Sequence, residues 1–473
     1  MYHPENYLLA SKIFIRTLGV IYFIAFFPFL FQIKGLIGSN GILPLKKYLT
    51  LIKSRFGNLA YWRFPCIFWL NASDVMLISV VLAGLACSLL LTLGLYPLIL
   101  LPILYILYLS IIKAGQDFLS FGWELFLMEI TVNAFLLSLT NTPNPFVWIS
   151  INFLLFRFHL QAGAVKLQSG DINWRNLTAL KYHYQTQPIA NTQAWYAHKL
   201  PLSFHKLSCL LMFIIELVIP FGVFGGEELR LGVYICFVGL QLMIWFTGNF
   251  SYLNHMTIAF CTILLSDNYL SPLFGHLNAP EPSHWLLSLT ASTGGIILFT
   301  LQLMNVWSHF LQISLFDKLL KKIYHLHIVN RYGIFAVMTT HRYEIVIQGS
   351  DDGIHWHEYS FKHKASETNR RPKRISPYQP RIDWQIWFLP FSSYDYEVWF
   401  QNFLLRLLQG EKHVLTLLGK NPFPNTPPQY IRALKYEYVF SDAKTKKTSG
   451  NWWIRTYIGE YSPTLSLKTC FKR

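Results

Sequence analysis

The sequence predicts an α-helical polytopic membrane bundle followed by a smaller α+β, strand-rich soluble domain, and three observations predict it. The chain of 473 residues is 53% hydrophobic and only 14% charged, against the roughly 25% charged residues usual in soluble domains. Its long apolar runs lie before about residue 312, and its Lys/Arg-rich, alternating segments lie after it. The change of pattern divides the chain into a multi-pass helical domain of about nine spans over 1–312, a linker over 313–339 and a soluble domain over 340–473.

A helix needs about 20 mostly apolar residues to cross a hydrocarbon core of roughly 30 Å. Segments of that kind cover 13–33, 75–93, 95–112, 119–139, 146–166, 207–224, 231–246, 250–265 and 285–303. The first is long enough to remain as a span, and no small-residue cleavage site follows it. Lys and Arg in short loops are retained on the cytoplasmic side. The first, third and fifth connections carry Lys34, Lys46, Lys47, Lys53, Arg55 and Arg63, then Lys113, then Arg175, Lys181, Lys199 and Lys206, whereas the second and fourth carry none and the sixth only Arg230. With nine spans, that alternation puts the N-terminus outside and the C-terminal domain in the cytoplasm.

The linker reads as helical around 315–327, with Lys318, Lys321 and Lys322. From Arg342 the period changes to two, and Ser350-Asp351-Asp352-Gly353 separates Tyr343, Ile345 and Ile347 from a second run over 356–362. Asp-Gly between strand-like runs predicts a hairpin, because it accepts the positive backbone angles of a tight turn. An amphipathic helix over 399–408 and strands over 430–440 and 452–458 complete the domain. Residues 340–473 hold 20 Lys/Arg against 12 Asp/Glu, so this is a basic domain suited to a membrane face.

The net charge of +16 is scattered over loops and tail and not gathered into a stripe with a reader motif, which argues against nucleic acid and for membrane lipids as partners. None of the six cysteines forms a CxxC, and His183 and His198 have no carboxylate at ligand spacing, so neither a metal nor a cofactor is signalled. The sequence holds no GxSxG elbow, Walker loop or HExxH.

Ionisable groups inside spans are costly and mark function or helix pinning. Here they are Glu124 and Glu129, then Arg157, His159 and Lys166, then Glu216. Glu129 and Arg157 sit in consecutive segments with a short connection and can meet as a buried pair. Asp117 or Ser120 is placed to cap the helix that follows. The fifth connection is rich in aromatic and polar groups, with Tyr182-His183-Tyr184-Gln185-Thr186-Gln187-Pro188 and Trp195-Tyr196. Such aromatics anchor at head-group level, and His183 and Gln187 are candidates for a polar ligand at the rim. Trp384, Trp387 and Phe388, at helical spacing, read as core.

Several of these stretches together resemble the lipase maturation factor family: 115–121 with Trp123 and Glu129, 182–188 with Trp195-Tyr196, Thr247-Gly248-Asn249, 332–340, 377–388, Asn421-Pro422-Phe423-Pro424, 428–434 and Gly459-Glu460-Tyr461. They run in family order from about residue 35 to 467, although Gly122 and Glu124 stand where the family pattern has Gln and Asp. The resemblance implies a folding factor, not itself an enzyme, for secreted dimeric lipases, with the client-binding domain in the lumen of the endoplasmic reticulum, or an equivalent in the inner membrane of a bacterium. Carried onto this chain, the client-binding candidates are Tyr332, Gly333, Phe335, Arg381, Asp383, Trp384, Trp387, Asn421 and Pro422. The membrane part also looks distantly like the helical domain of vitamin K-dependent carboxylases and quinone-linked oxidoreductases. That alternative implies an active site lined by Glu129, Arg157, Lys166 and His183.

Overall fold

The computed structural model describes residues 3–119, 121–277 and 280–470. Among the described residues, six helices are long and apolar enough to cross a membrane: Pro4–Phe26, Asp74–Thr92, Pro97–Ala114, Leu202–Phe224, Glu227–Thr247 and Trp285–Leu311. The first contains α1 (Leu8–Phe26), and the next two are α2 (Asp74–Thr92) and α3 (Pro97–Ala114). Then come α4 (Gly122–Ser138), α5 (Pro145–Gln168), α6 (Leu202–Leu217), α7 (Glu227–Thr247), α8 (Leu253–Cys261) and α9 (Trp285–Leu311).

Caps set where these helices start. Ser73 accepts from the Met76 N–H at 3.2 Å, and Asn144 accepts from Phe146 at 3.0 Å ahead of Pro145, which has no N–H to leave unsatisfied. The cap of α4 falls on Phe121, whose N–H donates to the Glu124 carboxylate at 3.2 Å. Asp117 lies in a preceding 3-10 turn, and Ser120 is outside the described residues.

The segments predicted as the fourth, fifth and eighth spans are α4, α5 and α8; α4 and α8, at 17 and 9 residues, fall short of the six in length, and α5, at 24 residues, in hydropathy. They are wrapped by the other helices: Glu129, Arg157 and Thr257 are fully buried. A helix apolar on every side is as well suited to the middle of a bundle as to lipid, so nine hydropathy peaks overstate the lipid-facing helices. The first span is also shifted from 13–33. Pro28 cannot continue the ladder, so α1 ends at Phe26 and a separate helix, Phe29–Ile37, begins.

Contacts between helix ends sort the bundle into two poles. Near one, Asp267 accepts from the N–H of Leu9 at 2.9 Å, Asn6 donates to Glu227 at 3.4 Å and the Asn141 N–H donates to Ser283 at 2.7 Å. The other pole carries the C-terminal domain.

That domain is built on a four-stranded antiparallel sheet in the order β2-β1-β5-β6, with β1 at Tyr343–Ser350, β2 at His357–Glu358, β5 at Tyr430–Phe440 and β6 at Trp453–Leu465. A two-stranded sheet pairs β3 (Ser360–Phe361) with β4 (Leu418–Lys420). The β1–β2 hairpin turns where predicted: Gly353 has φ +77°, and Asp352 accepts from the N–H groups of Ile354 and His355 at 2.8 Å each. Tyr343 pairs with Glu437 and Ser350 with Tyr430, which puts Ile345 and Ile347 into the core. The sheet is covered by the 3-10 stretch Ile386–Phe391, which continues α10 (Arg381–Gln385), and by α11 (Val398–Leu408), the latter burying Trp399, Phe400, Phe403 and Leu407. One apolar core runs unbroken from α1–α5 through Tyr332 and Trp384 to Phe400 and Ile345. Helical and strand-rich parts therefore share a core.

Candidate functional site

The residues with the strongest claim to function gather at the seam between bundle and C-terminal domain. Inside the bundle, Glu129 on α4 pairs with Arg157 on α5. The second Glu129 oxygen accepts from the Asn330 N–H at 2.9 Å and the Tyr332 hydroxyl at 2.6 Å, both in the segment that leads to the C-terminal domain. Arg157 also donates to Asn305 on α9 at 3.3 Å. Two buried charges thereby gain partners from three helices and the connecting chain, as buried ion pairs require.

A second pair lies nearer the domain. Arg381 on α10 pairs with Glu124 on α4, and both are fully buried. Trp123 donates to the same carboxylate at 2.6 Å. Gln32 clasps α10 from the other side, accepting from the Arg381 N–H at 2.8 Å and donating to the Gln379 carbonyl at 2.9 Å. The Trp384 ring meets Trp123 at 5.1 Å and Phe121 at 6.0 Å in edge-on contacts. We expect Trp384→Ala to cost about 3 kcal/mol, as for a buried aromatic removed from a core, read as a lower melting temperature of the detergent-purified protein.

Further contacts close the seam. Asn249 accepts from the N–H groups of Ile375 at 2.8 Å and Ser376 at 3.1 Å and donates to the Lys373 carbonyl at 3.0 Å. Arg342 donates to the carbonyls of Gln185 at 3.0 Å and Pro188 at 2.9 Å, and Gln187 in turn donates to Thr247 at 2.8 Å. Trp387 donates to the Thr186 carbonyl at 2.9 Å. Asp383 faces the domain itself, accepting from the N–H groups of His363 at 2.6 Å and Lys364 at 2.9 Å.

Of the nine client-binding candidates, Tyr332, Arg381, Asp383, Trp384 and Trp387 are buried. Gly333 approaches α5 so closely that a Cβ would meet Val165 at 2.7 Å, and Phe335, at φ +56°, packs on His183 at 4.9 Å. Asn421 and Pro422 are half-buried, and Asn421 accepts from the Phe423 N–H at 3.0 Å in a local turn. Glu129 and Arg157 meet, but Lys166 and His183 stand apart from them. Lys166 donates to both oxygens of Glu216, at 2.9 and 2.6 Å.

Gln32, Asn249 and Arg342 are seam residues to which sequence reasoning gave no role, although Asn249 stood in a quoted stretch. Their one signal was a polar side chain beside an apolar run. Arg230, taken as a loop charge, is buried and donates to Asn152 at 3.0 Å and the Ile263 carbonyl at 2.7 Å. Among the described residues no group of His, Cys, Asp and Glu has the arrangement of a metal site.

Comparison with known proteins follows the same division. Residues 9–272 match the model of the lipase maturation factor transmembrane domain, and residues 328–463 that of the lipase maturation factor C-terminal domain. The chain is 33% identical to lipase maturation factor 1 of Bos taurus over 97% of its length and 89% of the relative's. It is 32% identical to the Homo sapiens form over 98% and 89%, and 29% identical to lipase maturation factor 2 of Homo sapiens over 97% and 83%. No solved structure matches. With both family models matched in order and the buried seam spanning them, the chain belongs to the lipase maturation factor family.

Proposed function

We propose that this protein is a membrane-embedded maturation factor, chaperone-like in action, that assists the folding and assembly of secreted lipase-class clients. The observation that carries this reading is the 32–33% identity to lipase maturation factor 1 along 97–98% of the chain. The relatives named above lend no support to the membrane-enzyme alternative. In this reading the protein works in the endoplasmic reticulum membrane of a eukaryote or the inner membrane of a bacterium, with its C-terminal domain in the compartment where secreted proteins fold.

The buried candidates Tyr332, Arg381, Trp384 and Trp387 serve this role by fixing the domain on the bundle, and Asp383 by bracing the domain internally. Client contact falls to exposed surface. The longer of the two outer strands, β6, exposes Ile454, Tyr457 and Ile458 at 42%, 54% and 50%, and Ile454 pairs across the sheet with the exposed Val439. An outer strand with apolar side chains suits an incompletely folded chain, which offers extended backbone and apolar groups.

In cells lacking their own maturation factor, this protein should restore secretion of an active dimeric lipase. The double variant Ile454→Asp/Ile458→Asp should lower secreted activity about tenfold, the effect of losing a central interface residue, at an unchanged melting temperature. His183→Ala should leave secretion intact. Full secretion by the double variant would remove β6 as the client surface, and no rescue by the wild-type chain would remove the function.

Topology has a native reporter. Asn71-Ala72-Ser73 and Asn176-Leu177-Thr178 are glycosylation acceptors with exposed asparagines. If the C-terminal pole faces the lumen, endoglycosidase treatment should shift the protein's mass and Asn71→Gln/Asn176→Gln should abolish the shift. An unglycosylated chain with its C-terminal domain digested from the cytosolic side would reverse the orientation.

A further inference from the structure

A cavity of about 490 Å³ lies between α5, α6 and α7, closed at the back by residues 331–335. Its volume is that of a small-molecule site, for which roughly 300–1,000 Å³ is usual. Its wall runs from Phe204 to Glu216 on one helix and from Ile235 to Thr247 on the other, which at 1.5 Å per residue is about 18 Å. That is more than half of a hydrocarbon core of roughly 30 Å. The space is long, and Leu211, Ile215, Leu240 and Ile244 make its sides apolar. Both flanking helices turn other apolar side chains outward, such as Leu207 and Leu242, so the molecule that reaches this space comes from the membrane.

The polar groups of the lining define the head group. Lys166 spends its donors on the two oxygens of Glu216 and the Ala162 carbonyl at 3.0 Å, and Arg331, the other cation of the lining, donates to Ser308 at 2.7 Å and Asp317 at 2.6 Å, so both cations are already paired. His159 and Asn254, at 2% and 1% exposure, each keep one polar atom without a partner, Nε2 and Oδ1. The Nδ1 of His159 is 3.0 Å from the Leu155 carbonyl. A carbonyl only accepts, so Nδ1 carries the hydrogen and Nε2 of the neutral ring is an acceptor. Asn254 donates through its amide to Gln241 at 2.7 Å, which leaves Oδ1 as an acceptor too. The His159 ring stacks on Phe237 at 3.6 Å, and Phe237 and Gln241 are one turn apart on α7, so the two unpaired acceptors are neighbours along one wall. A buried acceptor without a donor is costly; one hydroxyl supplies a donor to one of the two, and a head group with two hydroxyls supplies both.

We propose that this cavity binds an uncharged, single-chain amphiphile whose head group donates a hydrogen bond, of the class of long-chain alcohols and monoacylglycerols. The chain lies along α6 and α7, the first hydroxyl donates to His159 Nε2, and the second hydroxyl of a monoacylglycerol donates to Asn254 Oδ1. Gly239 supplies the means of closing the site, because a Cβ there meets no atom within 4 Å.

The test uses the full-length protein in detergent with a diazirine-bearing hexadecanol and its methyl ether, the labelled peptides being located by mass spectrometry. Wild type should be labelled on the α6 and α7 peptides about fivefold more by the alcohol than by the ether, which has no donor. His159→Phe keeps the stack on Phe237 and should erase that preference. Gly239→Trp should abolish labelling by both probes at an unchanged melting temperature. Equal labelling of wild type by alcohol and ether, or labelling confined to other peptides, would overturn the proposal, and neither result needs a variant to fold.

Discussion

Replacing Arg381 by Met lowers the stability of the detergent-purified protein by about 3–5 kcal/mol, the cost of stranding one member of a buried ion pair. Glu124 is then left fully buried with only the Trp123 and Phe121 N–H donors. Because α10 is held to the bundle through Arg381 and Gln32, the effect should also appear as faster protease cleavage around residues 370–380, where the chain enters the seam. The double variant Arg381→Met/Glu124→Gln should recover most of the loss, since an apolar and a neutral group can share the site without an unpaired charge. Equal instability of single and double variants in thermal melts would mean that packing, not charge, holds the seam. Lys at 381 should rescue poorly, because the guanidinium also donates to the Phe118 carbonyl at 3.2 Å and lies over the Phe29 ring at 5.0 Å, a geometry that a point charge does not reproduce.

The companion experiment lies deeper. Arg157→Met should also cost about 3–5 kcal/mol and should loosen the path from bundle to domain, because Glu129 holds Asn330 and Tyr332 there. Tyr332→Phe, which removes one donor and keeps the ring on Phe126 at 5.1 Å, should cost nearer 1–2 kcal/mol. Hydrogen exchange of residues 328–336 should rise in Arg157→Met and little in Tyr332→Phe. If Arg157→Met left exchange unchanged, the pair would be a local helix pin without influence on the domain.

Both results bear on function through the same route. In the proposed role, the client surface on β6 keeps its place relative to the bundle only as long as the seam holds. The seam supplies two buried ion pairs, the Asn249 and Gln32 clasps and a continuous apolar core. Substitutions there should lower lipase secretion in proportion to stability, whereas those on β6 should lower it without any change in stability.

Much of this was legible in the residues. Apolar runs located α1–α9, though not the shorter helices such as Leu45–Phe56 and Ala179–Thr186, since a chain this poor in charge has to bury its surface in lipid or in itself. Period-two alternation around Asp352-Gly353 placed the hairpin, and the pairing of Glu129 with Arg157 followed from two opposite charges in adjacent apolar segments. What hydropathy could not tell was which helices face lipid: α4, α5 and α8 look like spans because lipid and a protein interior impose the same apolar composition. Nor could it show that Glu124 finds its partner 257 residues away, that Asn249 and Gln32 clasp the domain, or that Arg230 is buried. Composition and local period fix which segments are helix, strand or apolar, because those depend on near neighbours. Which polar side chains meet across the seam depends on how distant segments pack, and the tertiary structure alone decides it.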